Sequence, residues 1–261
     1  MVGGGIIINN EERMALRKDL EKQGRWLFKH RSYLPLLGIP VVLIALRNSE
    51  YLERIFGDAI ENFWDFFSIF VSFMGLAMRG FTVGYVPRGT SGRSTHWLNA
   101  ETLNTTGMYS ICRNPIYLGN FIINLGLVLF IQVWWLALIV WVGFWLFYKR
   151  IIFAEEEFLI KKFGDLFLEW AKETPAFFPK FKNWKKSDLP FSLKNVLRRE
   201  YSTFFAIIAA FTFLHFAGDL FAEGKLELSL PWIIFFTVGL MIYFTLLILK
   251  KKTKILDVKG R

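Results

Sequence analysis

The sequence predicts an all-α, polytopic membrane protein, and three observations carry that prediction. Hydrophobic residues make up 54% of the 261 positions, above the ~45–50% of soluble domains. Residues 115–148 form one uncharged run of 34 residues. The basic residues are segregated as well. Placing residues 1–31, 79–114, 149–201 and 250–261 on one side of a membrane puts 29 of the 32 Lys and Arg there, and only Arg47, Arg54 and Lys225 opposite. The positive-inside rule makes the basic side cytoplasmic, with both termini on it. The same asymmetry accounts for the net charge of +10. Taken alone, that charge would point to nucleic acid. As a topology signal it predicts no nucleic-acid partner and favours anionic lipid headgroups.

Residues 1–31 are polar and basic, without the apolar core of a cleavable signal peptide. Within them Glu11–Lys29 sets Met14, Leu16, Leu20, Trp26 and Leu27 among charges, the pattern of an interfacial amphipathic helix. Six apolar segments follow. The first, Ser32–Leu46, carries Pro35 and Pro40; the second, Ala59–Met78, contains Asp65. The run from Pro115 to Tyr148 would be about 51 Å long as one helix. A bilayer core is only ~30 Å thick, so the run predicts two spans in a tight hairpin turning near Gln132. Ser202–Gly218 and Leu228–Leu249 complete the set, with Pro231 tolerated in the first turn of the last. The chain thus divides into a cytoplasmic segment (1–31), two spans and a basic loop (32–99), a central module (100–180), and a linker with the last two spans (181–261). No internal repeat is visible. The single cysteine, Cys112, excludes an intrachain disulfide.

The chemistry gathers around the hairpin's predicted cytoplasmic ends. Before it stands Gly107-Met-Tyr109-Ser-Ile-Cys-Arg113-Asn114-Pro115-Ile-Tyr117-Leu-Gly119-Asn120. Gly107 permits positive φ, Arg113 is a fixed cation at the boundary, and Pro115 suits a first helical turn. After the hairpin stands Glu155-Glu156-Glu157, then Leu159, Phe163-Gly164, and Phe177-Phe178-Pro179. A hairpin would bring these carboxylates near Arg113.

Together these elements resemble the isoprenylcysteine carboxyl methyltransferase and phospholipid methyltransferase superfamily, over roughly residues 100–180. The shared pattern is Gly-x-Tyr, Arg-[His/Asn]-Pro-x-Tyr-x-Gly, an apolar hairpin, Glu-Glu-x-x-Leu-x-x-x-Phe-Gly and an aromatic–aromatic–Pro tail. The resemblance implies S-adenosylmethionine as methyl donor, in a pocket built from cytoplasmic helix ends. It implies that Gly107, Tyr109, Arg113, Asn114, Pro115, Tyr117, Gly119, Glu155 and Glu156 line that pocket, with Arg113 and Glu156 catalytic. The family's usual His before the Pro is Asn114 here, and Glu101 stands where the prenylcysteine enzymes carry a His. Both departures weaken a prenylcysteine substrate.

The preceding loop reads Arg88-Gly-Thr-Ser91-Gly-Arg93, and Thr105 and Thr106 come just before Gly107. Backbone N–H groups, hydroxyls and guanidinium groups together suit an anion. The insert resembles a bacterial branch associated with lipid A phosphate methylation. Arg88, Ser91, Arg93, Thr105 and Thr106 are therefore the expected acceptor residues. The substrate expected is an anionic or phosphate-bearing membrane lipid at the cytoplasmic leaflet of the inner membrane. No metal site is expected: His215 is the lone histidine of its segment and reads as a packed one. Two alternatives remain at this stage. Membrane sterol reductases share an Arg-x-x-x-Tyr-x-Gly element and use a nicotinamide donor. A transporter or lipid-binding scaffold is the non-enzymatic reading, although transporters often show inverted repeats.

Overall fold

The computed structural model describes residues 10–47, 58–87, 100–224 and 228–260, and every regular element among them is helical. In chain order the α-helices are α1 (Asn10–His30), α2 (Ile39–Leu46), α3 (Asp58–Tyr85), α4 (Met108–Ile111), α5 (Pro115–Ile131), α6 (Trp134–Phe163), α7 (Asp165–Glu173), α8 (Leu193–Gly218) and α9 (Leu230–Lys252). Four of these, α3, α6, α8 and α9, are long and apolar enough to cross a membrane. Their outer faces agree with lipid as solvent. Phe63, Phe66, Phe70 and Met74 on α3 are exposed, as are Trp134, Leu138 and Trp141 on α6 and Ile234, Met241, Phe244 and Ile248 on α9. Only Gly239 of α9 is buried. A helix apolar all round is stable where its surroundings are apolar too. The chain is a multi-pass membrane protein.

The other two apolar segments differ from plain spans. α5 has 17 residues, about 25 Å of helix, slightly under the ~30 Å core. The first segment is broken. Leu34–Gly38 forms a 3-10 turn, and this segment meets α1 at 87°. Pro35 and Pro40 explain the break, because each lacks the N–H that would continue a helix. The bent path still covers distance. Gly24 packs on the Arg150 carbonyl midway along α6, and Ala45 and Leu46 join a cluster with Ile131, Val133 and Leu136 at its start.

That cluster surrounds the hairpin tip. α5 ends on Gln132, at φ 62°, and α6 begins two residues later. Phe130, Ile207, Phe211 and Leu214 fill the tip. A second cluster lies at the base of the hairpin, where Phe28, Ile111, Cys112, Tyr117, Leu118, Phe144, Ile151 and Phe177 pack together.

The tightest helix pair is α3 on α5, and small residues make it so. A Cβ on Gly75 would lie 2.6 Å from the Gly119 carbonyl, and one on Gly126 would collide with Ser72. Ser72 Oγ donates to the Ile123 carbonyl at 2.8 Å and Trp64 Nε1 to the Leu129 carbonyl at 2.8 Å. Close backbone approach with cross-helix hydrogen bonds is how helices associate where lipid removes the hydrophobic drive. α8 begins nine residues before the expected Ser202, capped by Ser192, whose Oγ accepts from the Asn195 N–H at 3.3 Å. Its extra turns bring Arg198, Arg199 and Glu200 to the end of the bundle that carries the sequence motifs.

Candidate active site

The motif segment is held by a strap. Two glycines sit in backbone regions that side chains disfavour: Gly107 (φ 58°, ψ −134°) before α4, and Gly164 (φ 54°, ψ −129°) between α6 and α7. From Gly107 the chain runs alongside residues 175–185. The Gly107 N–H donates to Lys185 O at 2.9 Å, and Lys180 N–H donates to Ile111 O at 2.9 Å. Cys112 Sγ donates to Phe177 O at 3.0 Å, Arg113 N–H to Pro175 O at 2.9 Å, and Asn114 Nδ2 to Ala176 O at 2.9 Å. Pro175 and Ala176, just before the aromatic–aromatic–Pro tail, are thus the backbone partners of Arg113 and Asn114, and Phe177 of the tail is the partner of Cys112. Burial pushes the Cys112 thiol up to about 11, so it is no nucleophile at neutral pH.

The three carboxylates fan out. Successive helical residues point about 100° apart, and each glutamate meets a different element. Glu155 Oε1 accepts from Tyr117 Oη of α5 at 2.9 Å. Glu156 Oε1 accepts from Arg113 Nε at 2.8 Å. Glu157, buried, pairs with Arg17 of α1 at 2.7 Å. Arg113 does more than neutralise Glu156. Its Nη1 donates to the carbonyls of Ala171 at 2.7 Å and Thr174 at 3.0 Å, capping the C-terminal end of α7. Arg113 therefore holds α6, α7 and the strap together through a fork that Lys lacks.

The other expected residues divide. Tyr109 lies beside this cluster: its carbonyl accepts from Trp170 Nε1 at 3.2 Å. Burial raises its phenol above the ordinary range, and the charges of Arg199, Glu155 and Arg79 all bear on it. Pro115 is buried as the first residue of α5, with Asn114 as its N-cap. Gly119 faces α3: a Cβ there would lie 2.9 Å from the Gly75 carbonyl and 3.3 Å from Arg79 Cδ. Its smallness serves helix packing. Thr105 and Thr106 precede α4, where the Thr106 carbonyl accepts from the Tyr109 N–H at 3.2 Å. Arg88, Ser91 and Arg93 lie outside the described residues.

A second charged cluster was not anticipated. Arg79, at the predicted boundary of α3, makes a two-pronged pair with Glu200 of α8, Nε to Oε2 at 2.9 Å and Nη2 to Oε1 at 3.1 Å. Its Nη1 donates to Asn120 Oδ1. Asn120 Nδ2 donates to Tyr148 Oη at 3.0 Å, and the Tyr148 and Tyr117 rings lie 4.8 Å apart. Polar groups thus run from Glu200 through Arg79, Asn120 and Tyr148 to Tyr117 and Glu155. Arg79 had been counted only as a topology charge. The sole hint in the sequence is its position, an arginine level with Asn120 at the same end of neighbouring spans.

S-adenosylmethionine, the group that the motif resemblance implies, carries a sulfonium, an ammonium, a carboxylate and ribose hydroxyls. The donor set fits it: Glu155 and Glu156 suit the cations and hydroxyls, and Arg113 suits a carboxylate. Among the described residues no group of three or more His, Cys, Asp or Glu side chains is placed to hold a metal ion.

Comparison with known proteins places these features. A family model described as phospholipid methyltransferase matches residues 89–166. The nickel-cobalt-cadmium resistance protein NccN of Alcaligenes xylosoxydans xylosoxydans is 32% identical over 155 residues, 59% of this chain and 67% of that protein. The cobalt-zinc-cadmium resistance protein CzcN of Cupriavidus metallidurans is 32% identical over 117 residues, 45% of this chain and 54% of that one. The protein-S-isoprenylcysteine O-methyltransferase of Schizosaccharomyces pombe is 32% identical over 77 residues, 30% of this chain and 33% of the enzyme. No solved structure matches the chain. The family match falls on the hairpin and both flanking motifs, and the chain belongs to the isoprenylcysteine carboxyl methyltransferase and phospholipid methyltransferase superfamily of membrane methyltransferases.

Proposed function

We propose that the chain transfers a methyl group from S-adenosylmethionine to a phosphate-bearing membrane lipid, such as a lipid A phosphate, at the cytoplasmic leaflet of the inner membrane. The observation that supports it best is the meeting of Tyr117–Glu155 and Arg113–Glu156 at the charged end of the hairpin. When bound, the donor supplies a sulfonium methyl, which passes to an acceptor oxygen as the S–CH3 bond breaks and a neutral thioether leaves. The protein's share is positioning, which contributes strongly to such displacements. Tyr117 orients the Glu155 carboxylate toward a cationic ligand. Arg113 fixes Glu156 and the end of α7 in one arrangement. Arg88, Ser91, Arg93, Thr105 and Thr106 supply cations and hydroxyls for the acceptor. A phosphate oxygen is already anionic, so no general base is needed. The family match favours this donor over a nicotinamide.

The test is incubation with methyl-labelled S-adenosylmethionine and host lipid extract, followed by separation by headgroup. Label in a phosphate-bearing lipid, lost in R113A, is the expected result. Label in no lipid would overturn the acceptor, and absence of donor binding would overturn the reading.

The matches to NccN and CzcN favour a second reading: a role in transition-metal resistance. On this reading it would act through a methylated product. Deleting the gene and scoring growth in nickel, cobalt and cadmium tests it; unchanged growth would remove it.

A further inference from the structure

A groove runs beside the seam where α1 lies against α6. The seam is close because Gly24 has no side chain: a Cβ there would lie 2.7 Å from Ala154 Cβ. Arg17–Glu157 and Lys161–Glu21, each at 2.7 Å, tie the two helices. Along one flank a cavity of about 840 Å³ opens. Its α1 wall is Asp19, Lys22, Gln23, Trp26 and Leu27, and its α6 wall is Gly143, Leu146, Phe147 and Arg150. Both sets follow helical spacing, so each is one continuous stripe.

The two ends of the groove differ in chemistry. Lys22, Arg150, Gln23 and Asp19 form one end; Trp26, Leu27, Gly143, Leu146 and Phe147 form the other. The uncharged part of α6 stops at Tyr148, so the charged end lies at the membrane boundary and the apolar end beyond it. Arg150 is braced there, its Nε donating to Gln23 Oε1 at 3.0 Å and its Nη1 to the Leu146 carbonyl at 2.7 Å. Lys22 makes no hydrogen bond or ion pair among the described residues. Two cations against one carboxylate leave the polar end net positive, and a phosphate with attached acyl chains matches that order of charge followed by apolar wall.

We infer that this groove is a docking site for an anionic phospholipid of the surrounding bilayer, with the phosphate at Lys22 and Arg150 and a chain along Trp26, Leu146 and Phe147. It is separate from the candidate active site, because Glu155 follows Arg150 by five residues and so faces about 140° away around α6. The site therefore does not depend on the methyl-transfer reading. Its consequence is mechanical: the lipid fastens α1 to α6 beside the turn that carries the three glutamates.

The test is native mass spectrometry of protein purified from bilayers containing equal phosphatidylglycerol and phosphatidylethanolamine. Wild type should retain phosphatidylglycerol in preference. K22A/R150A should lose at least threefold of it, while K182A/K186A, which removes two exposed charges elsewhere, should not. D19N should increase retention. L146W fills the apolar end without altering charge and should displace the lipid too, which decides the matter if K22A/R150A fails to fold. Equal retention in wild type and L146W, or no preference for phosphatidylglycerol, would overturn the proposal.

Discussion

Two arginine–carboxylate clusters sit at the same end of the bundle, and they differ in how far the chain must travel to make them. Arg113 and Glu156 are 43 residues apart, and a single hairpin closes them. Arg79 and Glu200 are 121 residues apart, joined only when α8 packs on α3. The first belongs to a recognisable motif and touches backbone carbonyls as well as its carboxylate. The second is the more enclosed: the Arg79 and Glu200 side chains are 15% and 7% exposed, those of Arg113 and Glu156 16% and 25%. The contrast separates two jobs. Arg113 organises the candidate donor site. Arg79 ties α3 to α8 through Glu200 and to α5 through Asn120.

The strongest way to break that comparison is to remove one member of the enclosed pair. R79A leaves Glu200 buried and unpaired, which should cost roughly 3–5 kcal/mol. In detergent the thermal midpoint should fall by many degrees, and R79L/E200L should recover much of the loss. If both behave like wild type, Arg79 does not hold the bundle. Next in size is the α3–α5 contact. G126V forces a side chain against Ser72 and should destabilise by about 1–3 kcal/mol, read by the same melt.

Changes in the motif cluster should act on catalysis more than on folding. E156Q and R113K each keep size but lose charge or the forked geometry, and about tenfold lower turnover is expected, or ~1.4 kcal/mol. A matching drop in melting temperature would make Arg113 a purely structural clamp. The smallest effect concerns Cys112. With its thiol pushed up to about 11 from 9.0, the folded state holds the proton more tightly than the unfolded one. Stability should therefore fall slightly as pH rises from about 9 toward 11. Maleimide labelling at pH 7.5 should be slow until the protein is denatured. Fast labelling of folded protein would contradict the burial.

How much was legible follows the same division. The hairpin was visible because an uncharged run too long for one span must turn, and Gln132 is where it turns. The approach of Glu156 to Arg113 followed from that turn alone. The prolines of the first segment were visible, but the 87° bend was not, because a proline marks a break without giving its angle. Gly119 was expected to line the donor pocket; the structure shows that its missing side chain makes room for α3, a use that a small residue does not announce in the sequence. Arg79–Glu200 was hidden because nothing in a linear sequence pairs two spans that no short loop connects. The tail at Phe177–Pro179 was recognised as part of the pattern, but its role as a backbone strap needed coordinates. Arg88, Ser91 and Arg93 fall outside the described residues.

The central claim is that the Tyr117–Glu155 and Arg113–Glu156 cluster holds the methyl donor. Its most direct test is equilibrium binding of S-adenosylmethionine to the detergent-solubilised protein and to E155Q, with thermal melts confirming that both are folded. The account predicts saturable binding to wild type and at least tenfold weaker binding to E155Q at an unchanged melting temperature. Equal affinity in both would place the donor elsewhere and contradict it.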